Sequence, residues 1–357
     1  MILVGAMAAV LWGIGMLTGA PRRARWVMIG VLLAGVIVVH LVLPDGHPLR
    51  MATGGQAAFW LLVVGFGAVI WAYGRGLALL RARATATPPY PMATPVGPVV
   101  AASAKTTFSD AELDRYARHM ILREVGGPGQ KRLKQARVLV IGAGGLGAPA
   151  LLYLGAAGVG TIGVIDGDLV ENANLQRQVI HTDAMIGRPK VESAAHAIAA
   201  QNPHVVVRPY HRRFDAAIAA DLLADYDIVL DGSDNFDTRY AVNAACVAAG
   251  KPLVAAALTQ WEGQISVWDP TRGAPCYACV FPEAPDRSLV PSCAEAGVIG
   301  PLPGVMGAMM AVETIKLITG AGQPLRGRML IFDALYAESR VIQLARRADC
   351  PVCGAVA

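Results

Sequence analysis

Three long stretches without a charged side chain divide this chain before anything else is read. They cover residues 1–20, 26–43 and 56–74. Each has about the 18–20 residues that a helix needs to cross a hydrocarbon core. Backbone groups in lipid must be paired within the segment, so helices are the spanning form such runs take. No polar face interrupts any of the three, as it would on a surface helix. The first run has no basic segment ahead of it, which favours a retained anchor over a cleaved signal peptide. His40 falls inside the second run and reads as a packed or interfacial residue.

The flanking cations give the expected topology. Arg22, Arg23 and Arg25 separate the first two runs, and Arg75, Arg81 and Arg83 follow the third. The intervening loop, residues 44–55, has only Arg50, offset by Asp45. Positive loops stay inside, so the N-terminus is expected outside and the C-terminus in the cytoplasm, with the protein multi-pass in the cell inner membrane. Trp71 and Tyr73 sit where an inner aromatic belt would lie. Residues 1–83 are thus read as a transmembrane anchor, and the Pro/Ala-rich residues 84–107 as an extended linker. Residues 108–357 form the remaining domain.

Charge follows the same division. Residues 1–105 hold eight Lys/Arg and one acid, whereas residues 106–357 hold 23 Lys/Arg and 25 Asp/Glu. The net charge of +5 therefore belongs to the N-terminal third. Without a basic surface on the larger part, nucleic acid is not an expected partner.

In that larger part, short apolar strands alternate with helical periodicity. Strands are expected at residues 137–141, 161–165, 205–209, 227–230, 253–257 and 263–267, and helices at 148–157, 189–200, 216–224 and 239–249. Continuously apolar strands joined by helices imply a doubly wound parallel sheet covered on both faces. The first strand runs into Gly142-Ala143-Gly144-Gly145-Leu146-Gly147, a GxGxxG turn that opens a helix. Such glycines let backbone approach phosphates at a helix N-terminus. Asp166 ends the next strand, where an acid accepts from ribose hydroxyls. The turn alone fits an NAD-dependent oxidoreductase or a membrane-anchored nucleotide-binding adaptor equally well.

Further groups favour a triphosphate. Asn174-Leu175-Gln176-Arg177-Gln178 follows the second strand, Lys190 opens the next helix, and Asp234-Asn235 follows the strand at 227–230. Strand ends in an open parallel sheet converge on one crevice. There cations offset charge at a reacting phosphorus, and a carboxylate can hold Mg²⁺.

Six cysteines complete the pattern. Cys276/Cys279 and Cys350/Cys353 form two CxxC pairs, which suit a closed structural zinc site; two disulfides are the rival pairing. Cys293 stands in a loop-like PSC segment, either a nucleophile or a dispensable thiol. Cys246, inside an apolar run, reads as a packed core thiol. Residues 298–318 form an apolar helix whose Gly304 and Gly307 suit close packing, within the subunit or across a dimer.

The ordered motifs RYARH (115–119), GAGGLG (142–147), DGD (166–168), NLQRQ (174–178), GRPKVES (187–193), DGSDN (231–235), PCYAC (275–279), SCAEAGVIGPLPG (292–304) and CPVC (350–353) resemble the ThiF/MoeB/HesA adenylyltransferases. These are the bacterial relatives of ubiquitin-activating enzymes. The resemblance covers residues 108–357 and is closest in layout to MoeB and ThiF. It implies a Rossmann-like fold with a zinc-tied C-terminal part. It implies adenylylation by ATP of the C-terminal Gly-Gly carboxylate of a ubiquitin-fold sulfur carrier, for thiamine or molybdopterin biosynthesis. By the same resemblance Gly142, Gly144, Gly145 and Gly147 approach the phosphates and Asp166 binds ribose. Asn174 and Arg177, with Leu175 and Gln176 beside them, contact the triphosphate together with Lys190. Asp234 coordinates Mg²⁺ next to Asn235. Arg118 reaches the ATP of the other subunit of a homodimer, and Cys293 forms a persulfide or acyl linkage. The chain runs only four residues past Cys353, so the sulfur donor is expected on another molecule.

Overall fold

A computed structural model describes residues 2–54, 56–86, 107–284 and 297–355. The chain forms two compact units, residues 1–91 and 92–357. The expected linker lies almost wholly outside the described residues.

The first unit is helical: α1 (Ile2–Leu17), α2 (Arg22–Val42), a short α3 (Pro48–Thr53) and α4 (Ala57–Ala86). α2 and residues 58–79 of α4 are long and apolar enough to cross a membrane. α1 is 16 residues long, short of the expected first span, because the chain turns at Gly19 with φ at 69° and Pro21 opens α2. Val4, Val36 and Trp60 form a small apolar cluster inside this unit, with Leu32, Leu33 and Ile37 packed against it, while Val31, Leu41, Phe66 and Val69 are exposed. His40 is buried, and its Nδ1 donates to the Val36 carbonyl at 2.9 Å. α3 was not expected from the sequence. It is capped by His47, whose ring accepts from Leu49 N–H at 3.3 Å, and Pro48 occupies its first turn. Arg50 pairs with Asp45 at 2.7 Å and donates to the Leu43 carbonyl at 2.8 Å.

The second unit opens with α5 (Asp110–Met120) and α6 (Gly126–Gln135) and then builds one eight-stranded sheet. The strands are β1 (Arg137–Ile141), β2 (Thr161–Ile165), β3 (Val206–Tyr210), β4 (Ile228–Asp231), β5 (Leu253–Leu258), β6 (Glu262–Trp268), β7 (Arg328–Asp333) and β8 (Glu338–Gln343). Their order is β3-β2-β1-β4-β5-β6-β7-β8. The first five are parallel, as expected. β6, β7 and β8 are antiparallel, which corrects the reading of a wholly parallel sheet. Residues 259–261 join β5 to β6, and a parallel crossover needs about a dozen or more residues.

Both faces of the parallel part are covered. Val138, Val140, Ile162 and Val164 pack on one side against α7 (Gly147–Ala157), α8 (Lys190–Gln201) and α12 (Pro301–Thr319). Leu139, Ile141, Ile165 and Val229 pack on the other against α9 (Ala216–Ala224) and α10 (Phe236–Ala249). α11 (Tyr277–Val280) contains Cys279, and Cys276 caps its N-terminus. α12 is also long and apolar enough to span a membrane, yet Met306, Met310 and Ala311 are buried in the core of this unit. A Cβ on Gly307 would stand 2.3 Å from the Leu146 carbonyl oxygen and 2.4 Å from Pro149 Cγ. Gly307 therefore serves packing within the subunit. A Cβ on Gly304 would meet no described atom within 4 Å.

Candidate active site

The sheet order reverses at β1, which lies between β2 and β4. Ligands in open α/β sheets bind outside the strand ends at such a point. A cavity of about 800 Å³ opens there.

Its floor is the Gly-rich turn. Gly142 has φ at +89°, a conformation that suits glycine. A Cβ at Gly147 would fall 1.8 Å from the Gly142 carbonyl oxygen. Gly147 thus permits the tight contact of turn and helix, and it does not line the cavity. Gly142, Gly144 and Gly145 do.

The other expected residues divide in two. Asp166, Arg177, Lys190, Asp234 and Asn235 line the same cavity. Asn174, Leu175 and Gln176 do not. Asn174 instead accepts from Arg177 Nη2 at 3.4 Å, while Nη1 donates to the Ala173 carbonyl at 3.2 Å, so this segment aims the guanidinium. The Gln176 backbone lies against Gly300, at the start of α12. Arg118 is exposed on α5, outside its own subunit's cavity. Cys293 lies outside the described residues.

Local bonds preset the charged groups. Asp166 accepts from the backbone N–H of Ala143 and of Asp168, each at 2.8 Å. Lys190 is buried and its Nζ stands 3.0 Å from Asp168. Arg213 approaches the same carboxylate at 3.8 Å. Asn235 caps α10 by accepting from Thr238 N–H at 2.8 Å, so the positive end of that helix dipole faces the crevice beside exposed Asp234.

Sequence reasoning missed several wall residues. Asp168 sat unused within the DGD motif. Arg239, one turn after Asn235, is buried and donates to the carbonyls of Ser233 at 2.6 Å and Ala256 at 2.9 Å. Gln178 and Ser233 also line the cavity, and among the described residues Gln178 Oε1 and Ser233 Oγ are buried with no hydrogen-bond partner. A glycine cradle, two convergent cations and unmatched polar atoms fit a nucleoside triphosphate. An exposed carboxylate beside them fits Mg²⁺.

The two CxxC pairs converge away from this crevice. Cys276, Cys279, Cys350 and Cys353 are all buried, with their sulfurs within 4.8 Å of one another. Pairs stand at 3.9 Å (Cys276–Cys279), 3.7 Å (Cys276–Cys350) and 3.4 Å (Cys279–Cys353). Four thiolates around Zn²⁺ at about 2.3 Å have sulfurs about 3.8 Å apart, so the quartet fits a structural zinc. Burial pushes the Cys276 and Cys279 thiols up. At Cys350 burial acts the same way, but the N–H groups of Cys353 and Val352 outweigh it and bring the thiol down to about 7. Cys246 is buried in the core, and desolvation pushes its thiol far above the ordinary range, as an inert packed cysteine requires.

A family model described as the ThiF family matches residues 116–352. The chain belongs to the ThiF family. It is 51% identical over 251 residues to the sulfur carrier protein adenylyltransferase of Thermus thermophilus, covering 69% of this chain and 93% of that protein. It is 49% identical over 243 residues to the SAMP-activating enzyme E1 of Haloferax volcanii, covering 68% and 89%. Among solved structures, E. coli MccB with AMPCPP and MccA is similar at a TM-score of 0.62 and 25% identity, covering 68% of this chain and 74% of that one. The ThiF match spans the Gly-rich turn, the crevice and three of the four clustered cysteines.

Proposed function

We propose that this ThiF-family chain is a membrane-tethered adenylyltransferase. It couples the C-terminal Gly-Gly carboxylate of a ubiquitin-fold sulfur carrier to AMP, for sulfur transfer in thiamine or molybdopterin biosynthesis. The convergence of Asp166, Arg177, Lys190 and Asp234 on one crevice carries this reading, in a chain half identical to a protein named for that activity.

The chemistry follows from the groups present. A carrier carboxylate oxygen attacks the α-phosphorus of ATP. The bond from that phosphorus to the bridging oxygen breaks, and pyrophosphate leaves with the electron pair. The product is an acyl-adenylate, a good electrophile made from a poor one. Positioning and charge stabilisation are what a protein supplies to such a step. Lys190 and Arg177 offset charge on the triphosphate, and Asp168 holds Lys190 in place. Asp234 would hold Mg²⁺, whose positive charge would offset that of the leaving pyrophosphate. Cys293 would act afterwards, its thiolate displacing AMP to form an acyl linkage with the carrier.

Two features extend the reading. The apolar lengths of α2 and α4 and their exposed apolar side chains support a multi-pass anchor in the cell inner membrane, with the catalytic unit cytoplasmic. Arg118, exposed on α5 outside its own crevice, suits a homodimer in which it serves the partner's ATP. Incubation with Mg-ATP and a Gly-Gly-ended carrier should give a carrier–AMP adduct by mass spectrometry. A carrier whose terminal carboxylate is amidated should give none. Absence of the adduct with every such carrier would overturn the proposal.

A further inference from the structure

We infer that His181 is a positioning residue that locks the Gly-rich turn, the Arg177 segment and the Lys190 helix into the arrangement a triphosphate requires. The inference rests on the nucleotide reading above and assigns a task to a residue outside the cavity lining.

His181 is buried, 6% exposed, between apolar Ile180 and the loop that follows. Its Nε2 lies 2.9 Å from the Ala143 carbonyl oxygen, and its Nδ1 lies 2.9 Å from Ser193 Oγ. A carbonyl only accepts, so Nε2 carries the proton and donates. In the neutral ring Nδ1 then accepts, and the Ser193 hydroxyl donates. The two partners thereby fix the tautomer. Burial holds the ring below the ordinary histidine range, and the nearby Lys190 charge acts the same way, against the Ala143 carbonyl and Asp166. Both bonds therefore persist at neutral pH.

The consequence is geometric. The residue Ala143 is held at both of its backbone groups, its N–H by Asp166 at 2.8 Å and its carbonyl by His181. That residue immediately precedes Gly144 and Gly145, which line the crevice. Ser193 lies on α8 one turn after Lys190. His181 itself closes a backbone turn on Gln178, its N–H donating to the Gln178 carbonyl at 3.0 Å, directly after Arg177. One ring thus spans the three segments that meet the phosphates, without touching the cavity.

The test separates this role from simple core filling. Glutamine places its amide nitrogen near the position of Nε2, whereas asparagine reaches only the position of Nδ1. In the full-length protein, AMPCPP binding by calorimetry and KM for ATP and for the carrier are compared across His181→Gln, His181→Asn and Ser193→Ala. Loss of the Ala143 bond in His181→Asn should raise the AMPCPP Kd and the ATP KM by about five- to tenfold. The carrier KM should stay unchanged, and His181→Gln, which keeps a donor for the Ala143 carbonyl but no acceptor for Ser193, should rise only about threefold. Ser193→Ala should rise about threefold, and it carries the test if His181→Asn does not accumulate as folded protein. Wild-type nucleotide affinity in His181→Asn or Ser193→Ala would overturn the inference. So would equal losses in His181→Gln and His181→Asn, which would mark the ring as mere filling. Wild-type protein that binds no AMPCPP would instead overturn the nucleotide reading and this inference with it.

Discussion

Replacing Cys353 with serine removes one sulfur from the buried quartet and should unfasten the C-terminal tail. The quartet needs little movement to hold an ion. Its sulfurs already lie within 4.8 Å of one another, against about 3.8 Å for a tetrahedral zinc thiolate site, so shifts stay near 1 Å. A serine oxygen is a poor ligand for zinc, and the three remaining sulfurs would be left as buried thiols or thiolates. Without the ion the tail keeps Arg346, which donates to the Pro270 carbonyl at 3.4 Å and to the Cys353 carbonyl at 2.6 Å. Loss of a structural metal ranks among the few single changes that cost about 4 kcal/mol or more. For a unit of some 250 residues each kcal/mol moves Tm by about 2–4 °C, so a fall of about 8–16 °C is expected. Metal analysis should find one zinc per wild-type chain and almost none in Cys353→Ser, and thermal melting should show the shift. Wild-type protein that holds no zinc, or a variant with unchanged Tm, would refute the reasoning.

Three further outcomes are expected. Asp234→Ala should lower ATP–pyrophosphate exchange by about 100-fold or more, while Cys293→Ala should leave exchange largely intact; loss in the cysteine variant would contradict its assignment to a later step. Deleting residues 1–105 should give a soluble, zinc-bound and active protein, checked by gel filtration and exchange, and inactivity would mean that the helical unit takes part in assembly. Lys134→Met should destabilise the chain by about 3 kcal/mol at pH 7, because it strands a buried carboxylate. Lys134 Nζ stands 2.6 Å from Glu112. Burial raises that carboxyl, but the hydrogen bonds from Lys134 and Ser109 outweigh it and hold it below the ordinary glutamate range. A depressed carboxylate contributes stability at neutral pH and loses it as pH falls through the folded value. The gap between variant and wild type in denaturant melts should therefore persist at neutral pH and close as pH falls through and below the ordinary glutamate range.

Much of the fold was legible because the parallel strands are apolar on both faces. β1, β2, β4 and β5 announce themselves that way, and each expected boundary falls within about one residue of the observed one. β7, with the apolar run at residues 329–332, went unread although its residues are buried or half-buried, and β8 went unread for the opposite reason. Every residue of the edge strand β8 is exposed, so no alternation marks it. The antiparallel turn into β6 was readable only from the shortness of residues 259–261. In the N-terminal unit, composition gave the apolar runs, but Gly19 and Pro21 cut the first one to 16 residues. Within the site, Asp166, Arg177, Lys190, Asp234 and Asn235 came from motif positions that can be read one by one. The residues that act on others did not. Arg239 spends its charge on two carbonyls, and Asn174 aims Arg177 rather than reaching the cavity. Gly147 belongs to the fingerprint for its packing and not for phosphate contact. Such tasks depend on which segment lies across the way, and a single sequence does not state that.

The most direct test of the account is ATP–pyrophosphate exchange by the full-length protein with a Gly-Gly-ended ubiquitin-fold carrier. Exchange should appear with Mg-ATP and the intact carrier, and should vanish when the terminal carboxylate is blocked or Lys190 is replaced by methionine. Exchange that ignores the carrier's terminus, or NADH binding without any affinity for ATP, would contradict the account.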